Sequence, residues 1–321
     1  MPTIAITRRL PSRAYELLRQ CSDLTIREHT EDRCLQPREL HQLAMGADAL
    51  VCTLADRIDS QLLKSVSPTV RIVSQYAVGT NNIDLEAART LGIRVANTPD
   101  VLTDATAELA ITLMLACSRR VIEGDHLVRA GQFDGWSPTL LLGQRLSGRT
   151  VGIVGTGRIG RRTAEILRYG FDCRILAWSR TPRASWAHQH SVKYVALPEL
   201  LASSDIVSLH CALTDETHHL LDIDALERLQ PHAIVVNTSR GPVIDEVELV
   251  RRLRSRQILA AGLDVYEFEP QLAAGLADLD NVVLLPHVGS ATNDARSAMV
   301  DLCIGAVLRV LAGKDAPNLV V

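Results

Sequence analysis

The feature that most limits what this chain can become is a rhythm. Short runs rich in Val and Ile alternate with helix-length segments from one end to the other. The first such runs are "TIAIT" (3–7), "LTIRE" (24–28), "ALVCT" (49–53), "RIVSQY" (71–76) and "RVANT" (94–98). Helices are expected near 11–20 and 37–45, after the third run, and around "DLEAARTLG". Strands separated by helices cannot pair as hairpins, so the pattern predicts parallel sheets with helical crossovers. At "NTPD" (97–100) the residue before proline leaves the helical region, which marks a break. A long helix over 103–120 follows, with Thr103 as its N-cap.

A second unit begins at Thr150. It holds six expected strands: "TVGIVG" (150–155), "RILAWS" (174–179), "IVSLH" (206–210), "AIVVNTS" (233–239), "LAAGLDV" (259–265) and "VVLLP" (282–286). A final helical segment, 292–313, has no strand after it and is expected to return to the first unit. The expected fold is α/β, with a complete doubly wound sheet in the second unit. One domain comprises residues 1–98 plus 290–321, and a dinucleotide-binding domain of residues 99–289 is inserted into it.

Composition excludes several classes. Net charge is −3, aromatics are 3%, and no basic stripe interleaved with aromatics occurs, which argues against nucleic acid. No apolar stretch reaches the length of a membrane span. The N-terminal "MPTIAITRRLP" enters a strand-like run without a charged-then-apolar leader, so no secretory signal is expected. Seven cysteines (21, 34, 52, 117, 173, 211 and 303) form no C-x-x-C pair, which suits a reducing cytoplasm. The ten histidines show no metal-ligand spacing. His218 and His219 are adjacent, so they should point apart as solvated loop residues, and no metal is expected.

In an open parallel sheet, ligands bind beyond the carboxyl ends of the strands. The first strand of the second unit ends in "GTGRIG" (155–160). Gly155 permits a tight turn, Gly157 a close backbone approach, and Gly160 packing of helix on strand. The following helix would offer its unpaired N–H groups, with Arg158 and Ile159 in the first turn, to a pyrophosphate. The second strand ends in Ser179-Arg180-Thr181, with Arg183 beyond. An NAD site usually has a carboxylate here for the ribose 2′-hydroxyl. None occurs from 174 to 189, and arginine suits a 2′-phosphate, so NADP(H) is expected.

Later strand ends supply chemistry. Arg240 follows Thr238-Ser239, Glu269 lies five residues beyond Asp264, and His287 follows Pro286. A hydride acceptor such as a 2-oxo acid needs a cation for its carboxylate, a steadied oxyanion and a proton. Arg240 answers the first two needs. His287 answers the third, and Glu269 would orient the imidazole. In the first unit, "QYAVGTNNID" (75–84) has two readings: an anion-binding turn at Gly79, or a plain strand–helix link capped by Asn82 or Asp84.

These stretches resemble a known family, the D-isomer-specific 2-hydroxyacid dehydrogenases. The resemblance rests on "AVGTNNID", "NTPDVLTDATAELAITLMLACSRR", "VGIVGTGRIG", "NTSRGPVIDE", "AGLDVYEFEP" and "LLPHVGSAT". It implies two Rossmann-like doubly wound domains with an interdomain cleft, Arg240, Glu269 and His287 as the catalytic set, and Val78-Gly79 as the receiver of the substrate carboxylate. It also implies that Thr106, Cys211, Thr217, Thr238, Ser239, Asp264, His287 and Gly289 line the cofactor, and that the protein is a homodimer through the cofactor domain. "PDVLTDATAEL", "GWSPTLLLG" and "SRTPR" look most like the NADP-using glyoxylate/hydroxypyruvate reductases. Trp136 falls in an arm that would either reach the partner's active site or simply pack in the dimer interface. Two alternatives stand: a 2-ketogluconate-type reductase with overlapping motifs, and a non-catalytic nucleotide-sensing protein of the same fold.

Overall fold

The computed structural model describes all residues, Met1–Val321, and divides into two compact units, Met1–Leu102 with Ser290–Val321, and Thr103–Gly289. The first contains β1 (Thr3–Ile6), α1 (Ser12–Arg19), β2 (Thr25–Glu28), α2 (Pro37–Ala44), β3 (Ala49–Cys52), α3 (Ser60–Val66), β4 (Ile72–Gln75), α4 (Leu85–Thr90) and β5 (Arg94–Ala96). All five strands are parallel, in the order β2-β1-β3-β4-β5. The central strands β3 and β4 are buried at every position, as strands covered on both faces must be.

The second unit runs through α5 (Thr103–Ser118), α6 (Val121–Arg129), β6 (Thr150–Val154), α7 (Arg158–Gly170), β7 (Arg174–Trp178), α8 (Ala184–Gln189), β8 (Lys193–Tyr194), α9 (Leu197–Ser203), β9 (Ile206–Leu209), α10 (Ile223–Glu227), β10 (Ile234–Asn237), α11 (Glu246–Arg254), β11 (Ala260–Leu263) and β12 (Val282–Leu284). Helix α12 (Asn293–Leu311) then joins the first unit, where the Ser74 hydroxyl donates to the Cys303 carbonyl at 2.9 Å. Thr103 is already helical, so it is not the N-cap of α5.

The second sheet corrects the sequence reading in one respect. It has seven parallel strands, not six, in the order β12-β11-β10-β9-β6-β7-β8. The extra strand, β8, is two residues long and pairs only at Leu176↔Lys193 and Ala177↔Tyr194. A strand that short carries no periodic signal. Its presence changes the count: the 206–209 strand lies directly beside β6, and β8 takes the outer place beside β7. The three strands that end in Arg240, Asp264 and His287, namely β10, β11 and β12, are neighbours.

Candidate active site

The glycine loop is built by close approaches. Gly155 has φ +98°, and a Cβ there would stand 2.5 Å from the Cys211 amide nitrogen. A Cβ at Gly160 would stand 2.0 Å from the Gly155 carbonyl oxygen. Gly157, the N-cap of α7, differs: a Cβ there would meet nothing within 4 Å. The first turn of α7 also lacks an acidic residue that would oppose an anion at the positive helix end. Open backbone at the helix start therefore fits a pyrophosphate.

Tyr194, on the strand that sequence reading missed, ties this loop to the next. Its hydroxyl lies 2.7 Å from Thr156 Oγ1 and accepts the Arg183 amide at 3.0 Å. Beyond β7, Ser179 is half-buried, while Arg180, Thr181 and Arg183 are exposed. After β9, His210 is half-buried, and burial pushes its imidazole down to about 4. Burial pushes the neighbouring Cys211 thiol up to about 11. Thr217 closes its own loop, its hydroxyl donating to the Ala212 carbonyl at 2.7 Å.

Buried Thr238 at the end of β10 keeps a hydroxyl without a partner, which fits a ligand that hydrogen-bonds there. Ser239 folds back on Asn237 Oδ1 through both its amide and its hydroxyl. Thr106, Asp264 and Gly289 meet: a Cβ at Gly289 would touch Asp264 Oδ2 and Thr106 Cγ2. Buried Asp264 accepts the amides of Val288 and Gly289 at 2.7 and 2.8 Å. Its carboxyl is raised above the usual range, because burial outweighs those bonds.

Asp264 thus fixes the segment that holds His287, whose φ is +55°. His287 Nδ1 faces Glu269 Oε2 at 2.9 Å, and the Tyr266 amide donates to Glu269 Oε1 at 3.0 Å. Burial raises the Glu269 carboxyl, but His287, the Tyr266 amide and the Arg240 charge outweigh it and leave it below the usual range. Arg240 is lowered by burial against the opposing pull of Glu269. Its guanidinium donates to the Ser239 carbonyl at 2.7 Å, and its own carbonyl accepts from Asn237 Nδ2. Three chains of hydrogen bonds therefore bring a guanidinium, a carboxylate and an imidazole to adjacent strand exits.

Comparison with known proteins settles the family. A model of the D-isomer specific 2-hydroxyacid dehydrogenase NAD-binding domain matches residues 111–289. The chain belongs to the D-isomer-specific 2-hydroxyacid dehydrogenases. This dehydrogenase is 44% identical over 325 residues to the glyoxylate reductase of Aeropyrum pernix, covering 99% of this chain and 96% of that one. It is 42% identical over 324 residues to the glyoxylate reductase of Thermococcus litoralis, with the same coverage. Among solved structures it is similar to the NADPH-dependent glyoxylate/hydroxypyruvate reductase of Sinorhizobium meliloti in complex with NADP and malonate. The TM-score is 0.85 at 30% identity, covering 99% and 96% of the two chains. The dehydrogenase is thus an oxidoreductase of small 2-oxo acids with a NAD-binding domain.

One sequence expectation changes. His218 and His219 do not point apart: their rings stack at 4.2 Å, and His219 Nε2 lies 2.7 Å from Glu267 Oε1. His219 has a positive φ, 48°. The three side chains bring potential ligand atoms within 4.8 Å. In the first unit, Asp84 caps α4, while Asn82 instead reaches the Thr53 and Asp56 carbonyls. The Val78 and Gly79 carbonyls accept from Asn97 and Gln75 side-chain amides.

Proposed function

We propose that this dehydrogenase reduces small 2-oxo acids with NADPH, glyoxylate and hydroxypyruvate first, to D-2-hydroxy acids. The observation that carries the reading is the 2.9 Å pairing of His287 Nδ1 with Glu269 beside Arg240. The bound dinucleotide supplies the hydride to the substrate carbonyl carbon. Arg240 binds the substrate carboxylate and steadies the forming oxyanion. Glu269 occupies Nδ1, which leaves Nε2 of His287 to deliver the proton to the oxygen. The Val78-Gly79 turn is assigned to the substrate carboxylate.

Residues 155–160 would hold the pyrophosphate, and Ser179, Arg180, Thr181 and Arg183 the 2′-phosphate. Thr106, Cys211, Thr217, Thr238, Ser239, Asp264 and Gly289 would line the remainder of the cofactor. Residues 99–289 form the cofactor domain in this reading, and 1–98 with 290–321 the substrate domain. Homodimerisation is supported by α6, which buries no residue in its own chain, and by the adjoining Trp136, which is 85% exposed. The seven free thiols agree with a cytoplasmic location.

A substrate panel run with both cofactors tests this reading. NADPH oxidation with glyoxylate or hydroxypyruvate is expected. A preference for 2-ketogluconate would redirect the substrate assignment. No oxidation of either cofactor with glyoxylate, hydroxypyruvate, pyruvate or 2-ketogluconate would overturn it.

A further inference from the structure

The stretch after β7 contains no carboxylate, yet the fold delivers one from elsewhere. Glu216, in the loop after β9, accepts from Arg180 Nη1 on Oε2 at 2.8 Å. The same oxygen accepts the Thr214 hydroxyl at 2.9 Å, which aims the carboxylate. Thr214 first, and then Arg180, holds the Glu216 carboxyl below its usual range, so it is charged at neutral pH.

A 2′-phosphate reaching Arg180 meets this pair in one of two ways. If Arg180 turns fully to the phosphate, the pair with Glu216 is lost. If Glu216 stays, a carboxylate lies within a few ångströms of a second anion, and like charges so placed repel. Both routes weaken NADPH binding. The ribose of NADH brings hydroxyl donors instead, and a carboxylate accepts them.

We propose that Glu216 is a specificity-determining residue, a counter-charge that narrows the margin of NADPH over NADH by engaging Arg180. The proposal rests on the assignment of Arg180 to the 2′-phosphate made above. Side-chain exposures of 55% for Arg180 and 71% for Glu216 keep the effect modest, because solvent screens such pairs.

The test is kcat/KM for both cofactors in wild type, E216Q, E216K and R180A. E216Q should raise the NADPH-to-NADH ratio by about fivefold, the upper range for an exposed ion pair. The change should lie in KM for NADPH, E216K should go further, and the gain should shrink at high salt. R180A should lower the ratio by roughly tenfold or more, as loss of a charged phosphate contact does. If R180A lowers the ratio while E216Q and E216K leave it unchanged or reduce it, the Glu216 proposal is overturned and the NADPH reading stands. If R180A leaves the ratio unchanged, the NADPH reading falls and the role of Glu216 falls with it.

Discussion

His287 Nδ1 and Glu269 Oε2 lie 2.9 Å apart although 18 residues separate them in the chain. The contact exists because β11 and β12 are neighbours and because Asp264 grips the amides of Val288 and Gly289. A carboxylate so placed fixes the orientation of the imidazole. In E269Q kcat for reduction at neutral pH should fall about 10- to 100-fold, with cofactor affinity near that of wild type. A kcat near that of wild type would contradict the pairing's role.

The same pair predicts a stability profile. The Glu269 carboxyl is held below its usual range in the folded protein. Its stabilising contribution is therefore present above the unfolded value and is lost as pH falls through the folded one. The Tm gap between wild type and E269Q should be widest near neutrality and close below about pH 4.

His210 should act in a different window. Burial pushes it down to about 4, its Nδ1 has no partner, and Nε2 faces only the Ser208 hydroxyl, at 2.9 Å. Between the ordinary histidine value and about 4, the unfolded chain takes up a proton that the native state refuses. Stability should fall as pH drops across that window, by up to roughly 3 kcal/mol. Chemical denaturation of H210N from pH 7 to 5 should show a flatter slope than wild type, and an identical slope would refute the assignment.

The glycine loop separates folding from binding. G160A drives a Cβ to 2.0 Å from the Gly155 carbonyl oxygen and should lower stability by about 2 kcal/mol or more. G157A places its Cβ in open space with φ −67°, so its Tm should match wild type. Cofactor titration should nevertheless show G157A binding at least roughly tenfold more weakly, as expected if a phosphate comes against that backbone. Equal affinity in G157A would remove the phosphate from this position.

Much of this was legible in the chain. Parallel strands buried on both faces appear as short, nearly continuous apolar runs, so β6, β7, β9, β10, β11 and β12 stand out, and with them their exits at Gly155, Ser179, Arg240 and His287. The two-residue strand Lys193–Tyr194 does not, and with it goes the link from Thr156 through Tyr194 to Arg183. The Arg180–Glu216 and His219–Glu267 pairs join residues 36 and 48 positions apart. No local spacing encodes such contacts; they follow from which loops the sheet order brings together. His210 reads as an ordinary strand-end residue until the Gly155–Gly160 turn is seen to close over it.

The most direct test of the central claim is turnover of a 2-oxo acid by H287A, with cofactor affinity measured on the same sample. The account predicts glyoxylate-dependent NADPH oxidation by the wild type, a loss of about 10²- to 10⁴-fold in kcat for H287A, and retained NADPH binding. Near-wild-type kcat in a folded, cofactor-binding H287A would contradict it.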